Sequence, residues 1–331
     1  MNEAFVALQF VIVSGLLMAL TVALVLRLVQ RPLLAALRRE APLRRVRFGR
    51  ALLLAPAAFG LLYALLIVVV PRWLAAVPAV RYACYSHEDA LWHACFAHPT
   101  GSGASLEVWT ALGLASLAAV VLLAIWSWRL LRDLRLLRSL LRLATPAPKR
   151  AEVHVVEVDA PLALACGLRR GRILVSRFLL ERLPARQIEV IVAHEADHLR
   201  HHDLVWRLLV RVAAWLHGPA LRRALLADLE LATEQRCDLA AVRAVGSPLE
   251  VAETLFAVES LMRSRAASSS GATAAFGEQF VAERIEALLQ PPPPTTWTPR
   301  VLVVLLLLAS SLASVAWIHA VAEHLIVGLI P

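Results

Sequence analysis

Two histidines four residues apart, His194 and His198, with a glutamate directly after the first, are the residues best suited to chemistry. On a helix such a pair shares one face, about 6 Å apart along the axis, so both imidazoles can grip one ion. Glu195 then reaches a water held on that ion. A later segment carries Glu234 and, one turn on, Asp238. Glu234 from a second helix completes a His, His, Glu set with one position open, the arrangement of a catalytic zinc. Asp238 is placed to orient a ligating histidine from behind.

H-E-x-x-H is a short pattern, and a solvated polar helix running on through Leu199-Arg200-His201-His202-Asp203 would also contain it. Two features favour the metal site. Apolar Ile188, Val190, Ile191, Val192 and Ala193 lead into the motif, so its helix enters from a packed segment. The stretch 228–245 has helix-forming composition. Rival ligand sets fare worse. His194 and His202 would stand about 12 Å apart along the axis, too far to share an ion with bonds near 2 Å. His201 and Leu204 occupy the places where a longer three-histidine motif needs glycine and histidine. Glu230 lies one turn before Glu234 but lacks the E-x-x-x-D pairing. Cys237 projects about 100° around the helix from Asp238 and reads as a small buried residue. His87, Glu88, His93 and His98 show no ordered spacing and read as a solvated loop.

These groups need a scaffold, and composition predicts a membrane one. Hydrophobic residues form 59% of the chain, and mean hydropathy is +0.67, too apolar for an ordinary soluble protein. Four segments, 4–26, 51–70, 106–128 and 300–317, approach or exceed the roughly 20 apolar residues that cross a bilayer. Arginines crowd 27–50 and the stretch after 128, whereas 71–105 holds only Arg72 and Arg81. The bias of basic residues to the cytoplasm therefore puts loop 27–50 and arm 129–299 inside, with loop 71–105 and both termini outside. The expected organisation is three spans within 1–128, a catalytic domain over 129–299, and a fourth span with a short tail over 300–331. Segment 4–26 has no basic residues ahead of it and does not read as a cleavable signal.

The formal charge of +9 raises the question of nucleic acid, but the arginines flank spans and no nucleic-acid motif accompanies them, so the expected partner is the lipid bilayer. Cys84 and Cys95 fall in the outer loop, where a disulfide is permitted; Cys166 and Cys237 are expected as free thiols.

Within the arm, 153–158 and 172–176 read as short strands and 165–171 as a glycine turn, giving a small sheet ahead of the motif helix. If 172–176 is an edge strand, it can bind an extended substrate by strand addition; the alternative is a strand that only covers the helix. Leu204 to Trp215 is apolar but carries Arg207 and Arg211, which suits a helix at the bilayer surface. Segment 264–280 reads as a flexible loop and 283–289 as a short helix, with Pro291 to Pro294 a stiff linker.

The chain resembles the membrane zinc peptidases typified by the BlaR and MecR antibiotic receptors. The matching residues are Pro161-Leu162-Ala163-Leu164-Ala165-Cys166-Gly167, Arg172 to Ser176, Ala193 to His198 with His202-Asp203, Trp215-Leu216-His217-Gly218-Pro219, Glu234 to Asp238, and Arg284-Ile285. The resemblance covers most of 150–290. It implies an α-rich integral membrane protein of the α+β kind, with four transmembrane helices and a cytoplasmic gluzincin-like domain containing a small β-sheet. It implies His194, His198 and Glu234 as ligands of Zn2+, Glu195 as catalytic base and Asp238 in support. The implied activity is endopeptidase cleavage of a protein or peptide, such as a cytoplasmic repressor or the chain itself, in the bacterial cytoplasmic (inner) membrane. Those receptors continue into an extracellular penicillin-binding sensor, whereas this sequence ends at Pro331, so β-lactam sensing through such a domain is not expected. Two alternatives stand beside this: a processing or quality-control zinc peptidase related to the prenyl-protein and heat-shock membrane proteases, and a non-catalytic zinc-binding signalling protein.

Overall fold

The computed structural model describes residues 3–74, scattered positions from 121 to 143, and residues 144–147, 150–167, 171–266, 274–290, 307–311 and 314. Its first three helices are α1 (Glu3–Leu28), α2 (Gln30–Arg38) and α3 (Pro42–Leu74). Among the described residues two stretches, Val11–Leu28 and Pro42–Leu66, are long and apolar enough to cross a membrane. The expected spans 106–128 and 300–317 lie largely outside the described residues, although their described positions are helical. Loop 71–105, with Cys84, Cys95 and the histidine cluster, lies outside as well.

Small residues let α1 and α3 pack closely, as membrane helices require. A Cβ placed on Gly60 would stand 2.6 Å from the carbonyl oxygen of Gly15 and 3.0 Å from Ala19 Cβ. The opposite face of α1 leaves Ile12, Leu16, Leu20, Leu24 and Leu28 exposed at four-residue intervals, a continuous apolar stripe.

The stretch 27–50 is not the simple loop expected from its arginines. It contains α2 and the first turns of α3, which begins nine residues before the expected start of the span at 51. Arg45 is buried and turned toward the catalytic arm. Its side chain meets the Asp228 carboxylate and the Gln235 amide there, so its charge does not serve topology alone.

The arm opens with β1 (Thr145–Ala147), β2 (Arg150–Val156), β3 (Ala163–Cys166) and β4 (Arg172–Ser176) in the order β1-β2-β4-β3. The β2–β4 pair is parallel and the outer pairs are antiparallel, a small mixed sheet. This corrects the edge expected at 172–176. Ile173, Leu174 and Val175 have no exposed surface, as a central strand demands. The free edge on the β4 side is β3, whose last two residues fall in the stretch expected as a turn.

Ser176 ends β4 and caps α4 (Arg177–Arg182), its hydroxyl accepting from the Leu179 N–H at 3.3 Å. The motif lies on α5 (Ala185–Arg200), whose Ile191 and Val192 pack against Val153, Ile173 and Val175 of the sheet. Next come α6 (Asp203–Ala213), a 3-10 turn (Ala214–Leu216) and α7 (Pro219–Val245). Pro219 starts α7 where its missing N–H costs nothing, and Gly246 at φ 82° stops it. The N-terminal half of α7 shares one apolar core with the spans: Leu221, Leu225 and Leu229 join Val22, Leu26, Leu52 and Leu53. Two helices, α8 (Pro248–Ala266) and α9 (Ala274–Leu289), close the domain. They leave only 267–273 of the expected loop 264–280 outside the described residues, and α9 begins well before the helix expected at 283.

Candidate metal centre

Helix α5 presents His194 and His198 on one face, their ring centroids 5.0 Å apart and steeply inclined. Helix α7 runs alongside and brings Glu234 to both. Glu234 Oε2 lies 3.3 Å from His194 Nε2, and Oε1 lies 3.7 Å from His198 Nε2. Ligands held by bonds of about 2.0–2.1 Å at tetrahedral angles stand about 3.3–3.4 Å apart. The Glu234 carboxylate thus stands within about that separation of both Nε2 atoms, through a different oxygen for each.

The other nitrogen of each ring meets a carboxylate. His194 Nδ1 is 3.0 Å from Asp238 Oδ1, and His198 Nδ1 is 2.7 Å from Asp203 Oδ2. A carboxylate at Nδ1 fixes the tautomer that leaves Nε2 as a lone pair for a metal. These carboxylates are themselves pinned. The Arg284 guanidinium of α9 donates to Asp238 through Nε at 2.8 Å and Nη2 at 2.6 Å, and its Nη1 lies 3.3 Å from Glu234 Oε2. The Arg236 guanidinium donates to Asp203 and, through Nε at 2.8 Å, to Asp197. From the first membrane-length pair of helices, Arg50 donates to Asp203 at 2.6 Å. Arg45 donates to Asp228 and to Gln235, the residue after Glu234.

Electrostatics follow from this packing. Burial disfavours the His194 cation, yet the hydrogen bonds to Asp238 and Glu234 outweigh it and push its pKa up to about 10. Burial would raise Glu234, Asp238 and Asp203, but the facing histidines and arginines hold all three below the usual carboxylate range. Without a metal, the proton on His194 occupies the place an ion would take.

Cys237 competes for the role of third ligand, since its sulfur and nitrogens of His194 and His198 lie within 4.8 Å of one another. Its nearest ring atom is His198 Nδ1 at 3.5 Å, the nitrogen already engaged by Asp203. Burial also pushes the thiol pKa far up, away from the thiolate a metal needs. Glu234 is the better donor on both counts. Glu230 faces elsewhere, 3.6 Å from Arg211.

Glu195 sits at the edge of the sheet, where its Oε2 accepts the Ala165 N–H of β3 at 2.7 Å. The backbone of the free edge strand therefore borders the carboxylate expected to act as base. Sequence reasoning passed over Asp203, Arg236, Arg284 and Ala165. All four lie in the stretches that carry the family resemblance, which was the signal that could have found them.

The profile of the BlaR1 peptidase M56 family matches residues 72–288, more than half of the chain. The chain belongs to that family. Shorter matches link this family member to proteins named Protease HtpX homolog. One from Listeria monocytogenes serotype 4a is 36% identical over 83 residues, 23% of this chain and 26% of that protein. One from Thermoplasma acidophilum is 41% identical over 61 residues, 18% and 19% of the two chains. A third, from Aeropyrum pernix, is 36% identical over 78 residues, 22% and 24%. The matches thus span about a quarter or less of those relatives' length. No solved structure matches significantly.

Proposed function

We propose that this peptidase-family chain is a zinc-dependent membrane endopeptidase, working on the cytoplasmic side in regulatory proteolysis of a transcriptional repressor, of itself, or of both. One observation carries the reading. Two imidazoles offer Nε2 to a common carboxylate while each Nδ1 is held by a separate, arginine-pinned acid. A site kept only for structure needs a closed ligand set; three protein donors leave a position for substrate or water.

His194, His198 and Glu234 would hold zinc, with Asp238 and Asp203 orienting the rings. Zinc supplies a Lewis acid for the scissile carbonyl and an acidified water with a pKa of about 7. Glu195 takes the proton of the attacking water and hands it to the leaving amine. The Ala165 N–H holds that carboxylate toward the sheet edge, so a substrate extended along β3 would meet the base directly. The arginine-rich stretches beside the spans support a cytoplasmic arm.

A processing or quality-control role is the second reading, favoured by relatives that are named proteases of the HtpX kind. The decisive test compares purified wild-type chain with Glu195→Gln on a casein-like substrate. The wild type should cleave in a chelator-sensitive way, and the variant should keep its metal without cleaving. Equal cleavage by both removes the proposed base. Mass spectrometry of cellular proteins that change with Glu195→Gln separates the readings: a repressor or fragments of this chain for the first, many unrelated membrane proteins for the second.

A further inference from the structure

Behind the metal centre, between α3, α6 and α7, lies a small open cleft that the peptidase reading does not use. Three guanidinium groups line it: Arg50 from α3, and Arg207 and Arg211 from α6. Only two acids border it. Asp203 is already shared with Arg236, and exposed Glu230 lies 3.6 Å from Arg211. Arg50 lies against the Trp206 ring, 4.9 Å from its centroid, and its Nε is buried without a hydrogen-bond partner. A cleft with excess positive charge and an unused buried donor is suited to an anion.

The position along the helices narrows the choice of anion. Gly15 and Ala19, in the middle of the α1 span, touch Gly60 of α3. Arg50 lies ten residues from Gly60, about 15 Å along the helix. That is half the roughly 30 Å thickness of a hydrocarbon core. With α3 spanning at the expected 51–70, Gly60 falls at the bilayer centre and Arg50 at headgroup depth. Leu209, Val212 and Trp215 are exposed on the neighbouring turns of α6 and its extension, an apolar surface for an acyl chain.

We propose that this cleft binds the phosphate of an anionic membrane lipid headgroup. Arg50 then connects the lipid to the site, since the same guanidinium donates to the carboxylate that holds His198. The inference rests on the membrane reading and not on peptidase activity, so it survives or fails apart from the hydrolase assignment.

The test is lipid binding to the full chain in mild detergent, read by native mass spectrometry. Phosphatidylglycerol, phosphatidylcholine, inorganic phosphate and an acidic peptide are titrated separately and in competition. Wild type should retain phosphatidylglycerol in preference to phosphatidylcholine. The exposed pair Arg207→Gln/Arg211→Gln should weaken that binding roughly thirty-fold, the worth of two arginines at a membrane surface. A control of equal charge, Arg39→Gln/Arg47→Gln, should retain it. Equal weakening in the control would show bulk attraction and overturn the site. Binding of free phosphate alone would overturn the lipid assignment, as would displacement of lipid by the acidic peptide at equal concentration.

Discussion

Asp203 Oδ2 lies 2.7 Å from His198 Nδ1, although five residues separate them and a helix would send them to different faces. His202 makes the contact possible. It adopts φ 51°, a left-handed conformation that ends α5 and turns the chain back so that α6 begins at Asp203. Asp203→Asn removes the charge behind His198 while nearly preserving shape. Its zinc dissociation constant, measured by chelator competition, should rise 10- to 100-fold, the usual effect of losing such a partner. An unchanged constant would show that Asp203 serves α6 alone.

Arg284 performs the matching task for His194 by fastening both Asp238 and Glu234. Arg284→Ala leaves the buried Asp238 and half-buried Glu234 carboxylates with His194 as their one shared cation. Metal-free protein should lose about 3 kcal/mol of unfolding free energy, the scale of a broken buried ion pair. Denaturant unfolding that matches wild type would contradict this account of α9.

The pH response of the metal-free protein follows from His194. Its folded pKa of about 10 exceeds its ordinary value of 6.5. The stabilisation is therefore complete below about pH 6.5 and is lost as pH rises through about 10. Zinc must displace the same proton, so metal affinity should rise with pH in this window. Calorimetry in buffers of different ionisation enthalpy at about pH 8 should find about one proton released per zinc. No release would mean that His194 is already neutral in the empty site.

Gly60→Ala tests the α1–α3 crossing. The new methyl would meet backbone, the carbonyl oxygen of Gly15, rather than a side chain that could turn away. The thermal midpoint in detergent should fall, corresponding to about 1–3 kcal/mol of overpacking. An unchanged midpoint would indicate that the two helices are not held so closely.

The legible part of the site was the part built on helical repeat. His194, Glu195 and His198 share one motif, and Glu234 and Asp238 lie one turn apart, so spacing alone places each set on one face. Asp203 was not legible in that way, because its position depends on the left-handed turn at His202. Arg45, Arg50 and Arg284 reach the site from distant segments, and only tertiary packing brings them in. The same limit applies to the sheet. Ala163–Cys166 lacks the β-branched residues that mark a strand, and whether a strand is central or at an edge depends on pairing between segments. The arginines of 27–50 read as a topology signal, which concealed that Arg45 and Arg50 lie on the inward face of an already formed helix.

Zinc X-ray absorption on the purified chain tests the central claim most directly. The account predicts one zinc with two imidazoles and carboxylate or water oxygens at about 2.0–2.2 Å, lost in His194→Ala and unchanged in Cys237→Ser. A sulfur shell at about 2.3 Å, or protein that takes up no zinc at all, would contradict it.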